Sequence, residues 1–323
     1  MRKEIILTEF AQDCIQGLSA PEKYLSSKYF YDQKGSEIFQ QIMRMPEYYL
    51  TDCELEIFHT QKEEIFNSIN EQTQNPNQFE LVELGAGDGM KTKILLDHFL
   101  KKQASFEYVP IDISKSAIDQ LLNELKLDFP ELKTQALAGD YFHLLEDFNK
   151  TDEHPKIILF LGSNIGNFRY PKDIQFLSKL GEQMKENDLI FIGFDLKKDP
   201  QTIIEAYDDP HGYTTAFNLN LLERMNRELG ANFDLTQFKH TETYEEESGS
   251  AKSYLISLKN QQVNLALYGQ TFFFEKEERI FMEISQKYDE AMILAMAKNS
   301  GFEIVRNFYD KRQFYTNSLW RKV

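Results

Sequence analysis

Cysteine is scarce: only Cys14 and Cys53 occur in 323 residues, with no CxxC spacing. That excludes a disulfide framework and a thiolate metal site, and scattered free thiols suit a reducing compartment. The six histidines (His59, His98, His143, His154, His211 and His240) never recur at HxH or HxxxH spacing, so no metal site is expected. No apolar run reaches the roughly eighteen residues of a membrane span, and MRKEIILTEF lacks a signal-peptide core. The expectation is a soluble, cytoplasmic protein with no membrane partner. Basic residues are in the minority, 36 Lys and Arg against 52 Asp and Glu, for a net charge of −16. Such a field repels a polyanion. The KK pairs at 101–102 and 197–198 are isolated, so nucleic acid is not an expected partner. Aromatics are abundant instead, with 26 Phe and 16 Tyr, enough to furnish both a core and the rings of a cation-binding pocket.

From the polar loop EQTQNPNQ (71–78) onward, strand and helix patterns alternate. FELVEL (79–84), FEYVPI (106–111), TQALA (134–138), KIILFL (156–161) and DLIFIGFDL (188–196) read as strands. KTKILLDHFLKK (91–102), SKSAIDQLLNELKLDF (114–129, with Ser114 as N-cap) and a segment near 172–186 read as helices. Strands spaced by helices predict βαβ units and a parallel sheet covered on both faces. Residues 197–250 read as polar and helical, with the clearest helix at 214–229. SYLISL, QVNLAL and TFFFE (253–275) read as β-structure, followed by a helix at about 286–300 and two closing strands. The expected fold is α/β, a doubly wound domain from 60–195 plus 286–323. A smaller α+β domain is expected from 1–59 plus 196–285, with a cleft between the two as the place for chemistry.

The strongest local signal is VELGAGDGMKTK (82–93), where Gly85, Gly87 and Gly89 stand between a strand and a helix. A tight turn there lets a ligand approach the backbone. GxGxG is not the GxGxxG of a dinucleotide site, which disfavours a nicotinamide dehydrogenase. Asp112 ends the second strand, 23 residues beyond Gly89, where a carboxylate can take both ribose hydroxyls. Asp140 and Tyr141, after the third strand, are placed for an adenine amino group and ring. Together these are spaced as in Rossmann-like methyltransferases that use S-adenosyl-L-methionine (SAM).

Four further segments make the likeness specific: YFYDQKGSEIFQQIMRMPEYYLTDCE (29–54), FLGSNIGNF (160–168), EAYDDPHGYTTAFNLNLLERMNRELGANFDL (205–235) and FMEISQKYD (281–289). In order and with few gaps, the chain from about residue 20 resembles the histidine-specific SAM-dependent methyltransferases, a family known for the trimethylated histidine precursor of ergothioneine. The resemblance implies a class I, Rossmann-like SAM sheet and SAM as cofactor, held by Gly85, Lys91, Asp112, Asp140 and Tyr141, with Gly87 in the same turn. It implies an acceptor site of Tyr48, Asn167, Tyr207, Glu283 and Ser285, with Tyr31 and Phe39 near the methyl-transfer centre. A methionine that the family carries before the Glu-Ile-Ser segment falls here in SAKSYLISL (250–258), where Tyr254 or a neighbour replaces it.

The reaction so implied is attack by the α-amine of free L-histidine on the SAM methyl group, up to trimethylhistidine (hercynine), by a monomer. Tyr31, Asn167 and Glu283 are the expected catalytic residues. Glu283 sits in an otherwise apolar stretch, where a carboxylate is costly unless a ligand or partner engages it. Two alternatives stay open: the same chemistry on another aromatic amino acid or a histidine ring nitrogen, and a non-catalytic SAM-binding module.

Overall fold

In the computed structural model, which describes residues 7–73, 78–139 and 154–323, the apolar runs become strands. They are β1 (Gln78–Leu84), β2 (Ser105–Asp112), β3 (Lys133–Thr134), β4 (Leu137–Ala138), β5 (Lys156–Phe160), β6 (Leu189–Asp195), β7 (Phe238–Glu245), β8 (Ser250–Ser257), β9 (Gln261–Leu265), β10 (Gln270–Phe274), β11 (Arg279–Gln286), β12 (Phe302–Tyr309) and β13 (Tyr315–Lys322). The chain divides into two compact units, Met1–Tyr49 with Lys198–Ser285, and Leu50–Lys197 with Gln286–Val323.

The second unit is a sheet in the order β12-β13-β6-β5-β1-β2-β3, with β4 also paired to β2. β1 runs parallel to β2 and β5, and β5 to β6, with Val82 level with Val109 and Ile158. β13 is antiparallel to both β6 and β12. Every residue of β5 and β6 is buried, as expected for strands covered on both faces. Helices Thr92–Lys101, Lys115–Asp128, Lys172–Gln183 and Glu290–Asn299 alternate with these strands. Ser114 caps its helix by accepting the Ala117 N–H, as its position predicts. One core joins Val82, Ile111, Ile158, Phe160, Leu177 and Trp320. This is the Rossmann-like, doubly wound sheet that the sequence predicts, extended by the antiparallel β13 and β12. Leaving β1, the chain builds β2 on one side and later β5 on the other, so the carboxyl ends of β1 and β5 form the topological switch point where such sheets bind ligands.

The first unit combines helices Glu9–Ser19, Gln33–Ile42, Pro200–Tyr207 and Tyr213–Leu229 with a three-stranded sheet, β11-β8-β7, and a separate β9–β10 pair. Residues 23–25 bond to β11 through Phe281, whose N–H and C=O meet Lys23 and Leu25 at 2.9 Å. Asp32 caps the helix Gln33–Ile42 by accepting the Gly35 N–H at 2.8 Å. A Cβ on Gly35 would lie 1.7 Å from the Phe30 carbonyl oxygen, so only glycine lets the chain fold back so closely.

Three local expectations are corrected. Residues 238–245, read within a helical and polar stretch, form β7: Phe238, His240 and Glu242 are its buried positions, and two polar buried residues mask the period-two pattern. TQALA splits into contributions to β3 and β4 rather than one strand. The helix expected from 286 starts at Glu290, because β11 runs to Gln286 and Asp289 caps the helix by accepting the Met292 N–H.

Candidate active site

In the second unit, β1 runs into a turn in which Gly85, Gly87 and Gly89 all have positive φ (76°, 56° and 64°). The Gly85 and Ala86 N–H groups donate to the Ile111 carbonyl at 2.8 and 3.2 Å, tying the turn to β2. A Cβ on Gly89 would strike Leu121 at 2.6 Å, whereas one on Gly87 would meet nothing within 4 Å. Gly87 therefore presents bare backbone to open space, as a ligand lying on the turn requires. Asp112, at the end of β2, accepts the Gly87 N–H at 2.9 Å and the Ser114 N–H at 2.8 Å. Burial raises its carboxyl above the ordinary range, and its two oxygens retain lone pairs for hydroxyl donors. Asp140 and Tyr141 lie outside the described residues.

The loop after β5 adjoins this turn. A Cβ on Gly85 would lie 3.2 Å from the Asn164 side-chain amide, and one on Gly162 3.3 Å from Lys91 Nζ. Lys91 Nζ itself sits 2.5 Å from Glu54 Oε2. Gly162 and Ser163 both take left-handed backbone (φ 69° and 57°) and lead into the turn Asn164–Asn167, which leaves Asn167 exposed. Ser163 Oγ accepts the Asp195 N–H at 3.1 Å. Asp195 in turn pairs with Lys287 at 2.7 Å, both side chains being wholly buried.

Glu83, one residue before Leu84, is a buried carboxyl that sequence reasoning passed over. It accepts from Thr92 Oγ1 at 2.6 Å and from the Tyr108 hydroxyl, and burial pushes it up to about 7. The folded chain therefore binds a proton here that the unfolded chain releases above its own value of about 4.5, so this group's contribution to stability falls as pH rises from about 4.5 to about 7. Glu83→Gln removes the titration and keeps one acceptor oxygen, while its NH2 group donates to the hydroxyl that had bonded to the second carboxylate oxygen. Its melting temperature should exceed that of the parent at pH 8 and converge with it near pH 4.5; parallel melting curves across pH would contradict this.

In the first unit, the aromatic residues singled out in the sequence form one row. Tyr31 meets Phe39 (ring centroids 5.4 Å apart), Phe39 meets Tyr48 (6.2 Å), and Tyr48 meets Tyr207 (6.0 Å), each edge to face. Phe217 packs behind Tyr31 and Phe39 at 5.5 and 5.6 Å. At the end of the row the Tyr207 hydroxyl shares a 2.9 Å hydrogen bond with Ser285 Oγ on β11. Strand alternation puts Glu283 on the Ser285 face of β11, half-buried, with Met282 and Ile284 buried on the other face. Tyr254 on β8 packs edge to face on Phe281 at 5.7 Å, under the Arg279 guanidinium. At the far end of the same strand pair the Ser257 N–H donates to the Glu278 carbonyl at 2.9 Å. Among the described residues, no group of three or more His, Cys, Asp or Glu side chains is placed to hold a metal, and no helix is long and apolar enough to cross a membrane.

A model of the family described as histidine-specific methyltransferase, SAM-dependent, matches residues 10–322. The chain belongs to this family. It is similar to the histidine N-alpha-methyltransferase of Mycobacterium tuberculosis (strain CDC 1551 / Oshkosh), 32% identical over 311 residues that cover 96% of this chain and 94% of the relative. The enzyme of the same description from Mycolicibacterium smegmatis is 32% identical over 290 residues, 90% of this chain and 88% of that one. The ergothioneine biosynthesis protein 1 of Schizosaccharomyces pombe is 29% identical over 291 residues, 88% of this chain but 37% of that longer protein. This histidine-specific methyltransferase uses SAM, and its reaction is N-methylation of a histidine-like substrate. The second unit fits that cofactor: open backbone at Gly87, a carboxylate at Asp112 and the Lys91 amine surround one switch point.

Proposed function

We propose that the enzyme methylates the α-amine of free L-histidine successively, to the trimethylated product. The observation that carries this reading is the aromatic row ending at Tyr207 and Ser285, with Glu283 on the same strand face. SAM, held by Gly85, Gly87, Lys91 and Asp112 and by the implied Asp140 and Tyr141, supplies a methyl group already activated by its sulfonium. The protein's own work is then orientation and electrostatics.

Tyr207 engages the amino and carboxylate end of the acceptor, while Glu283 and Ser285 hold its two ring nitrogens; the resemblance adds Asn167 to the acceptor residues. A carboxylate that accepts from a ring N–H loses that bond with side chains lacking the donor, and the difference favours histidine. The attacking amine must be neutral although its ordinary pKa is near or above about 8, and the Tyr31 hydroxyl offers a route for the departing proton. Each transfer converts the nitrogen further towards a quaternary cation that can no longer donate a hydrogen bond. The faces of Tyr31, Phe39 and Tyr48 attract every form, at about 0.5–2 kcal/mol per ring, so partly methylated intermediates are not trapped by a hydrated clamp.

The direct test supplies Nα,Nα-dimethylhistidine with SAM. Conversion to the trimethyl betaine supports the reading; an inert dimethyl compound, or a methyl group found on the ring, overturns it. Tyr207→Phe removes the hydroxyl that engages Ser285 and should raise KM for histidine about tenfold, the worth of one hydrogen bond, with the Kd for SAM unchanged. A parallel loss of affinity for both ligands in titration calorimetry would contradict that assignment.

A further inference from the structure

Glu54 closes the amino-terminal segment that matched the family, yet nothing in the reaction above uses it. It lies on the helix Tyr49–Gln72 with its side chain wholly buried. Four groups from three parts of the second unit converge on its carboxylate: Lys91 Nζ at 2.5 Å, the Gly162 N–H at 3.0 Å, Asn317 Nδ2 at 2.7 Å and the Tyr315 hydroxyl at 3.0 Å. Space for it is kept by Gly193, where a Cβ would stand 2.7 Å from Glu54 Oε1 and 2.1 Å from the Tyr315 oxygen. A carboxylate this buried and this fully bonded holds its donors in fixed places. Two of those donors, Lys91 and Gly162, border the glycine turn.

Charge adds a second consequence. SAM carries an ammonium, a carboxylate and a sulfonium, net +1, whereas the thioether left after transfer, S-adenosylhomocysteine, is net neutral. An unpaired lysine in the site would attract the carboxylate of both ligands but repel the sulfonium of one. We infer that Glu54 is a positioning residue that neutralises Lys91 in the cofactor site and thereby keeps the balance of affinities from shifting away from SAM towards the thioether product. The inference rests on Lys91 lining that site, and it is about ligand discrimination rather than the acceptor.

Calorimetric titration of SAM and of S-adenosylhomocysteine into the full chain tests it without turnover. Glu54→Gln should weaken SAM more than S-adenosylhomocysteine by roughly threefold to tenfold, the range one uncompensated charge a few ångströms away produces in a partly buried site. Lys91→Met leaves the anion uncompensated and should shift the preference the opposite way, towards SAM, while weakening both ligands; the double variant should return the ratio to that of the parent. A purely structural role for Glu54 would move both affinities in parallel, which overturns the inference while leaving Lys91 in the site. Unchanged affinities in Lys91→Met would remove Lys91 from the cofactor site and the inference with it. If Glu54→Gln does not fold, the sign of the Lys91→Met shift decides alone.

Discussion

Glu283→Ala should lower kcat/KM for histidine about 100-fold or more, the cost of losing a charge-assisted hydrogen bond to the ring, and leave the Kd for SAM within about twofold. The asymmetry follows from where the residue stands. Glu283 belongs to β11 in the first unit, whereas Gly85, Gly87, Lys91 and Asp112 all belong to the second. Removing the acid leaves the glycine turn and its bonds to β2 intact, so cofactor affinity has no reason to fall. Discrimination among acceptors should fall with it, since nothing then penalises a side chain without a ring N–H. Kinetics with histidine alongside SAM titration check both halves. Equal losses in the two would show that Glu283 supports the fold rather than the acceptor.

A second large effect concerns stability. Lys287→Met removes the cation 2.7 Å from Asp195 in a wholly buried place and should destabilise the second unit by about 3–5 kcal/mol. Asp195→Asn combined with Lys287→Met removes the orphaned charge and should recover much of that loss, because a buried pair replaced as a whole costs far less than one broken in half. Trp320, the only tryptophan, is fully buried and stacks on Phe194 at 5.6 Å, next to Asp195 in sequence. Its fluorescence in a urea titration reads the transition directly. A Lys287→Met midpoint equal to that of the parent would mean that the pair is solvated, contrary to its complete burial here.

Legibility of these features in the sequence varied with the range of the physics that made them. Strand-turn-helix signals are local, so VELGAGDG, KIILF and the Ser114 cap could be placed from neighbours alone, and the parallel sheet followed from βαβ logic. The aromatic row is not local: Tyr48 and Tyr207 stand 6.0 Å apart in space but far apart in the chain, and only the family resemblance linked them. Glu54 and Lys287 were invisible for another reason. A buried acid or lysine has the same letter as a solvated one, and the partners that justify it, Asn317 or Asp195, are distant in sequence. β7 was hidden because His240 and Glu242 take buried positions where apolar residues would have announced a strand.

The central claim is that the row Tyr31, Phe39, Tyr48 and Tyr207, with Ser285 and Glu283, selects one acceptor, free L-histidine, and carries its α-amine through every methylation. The measurement that meets it most directly is incubation of the enzyme with SAM and an equimolar mixture of the proteinogenic amino acids, followed by mass spectrometry of what is consumed and fragmentation of what is formed. The account predicts that histidine alone disappears and that all added methyl groups sit on its α-nitrogen. Consumption of another amino acid in preference to histidine, or methyl groups on the imidazole, would contradict it.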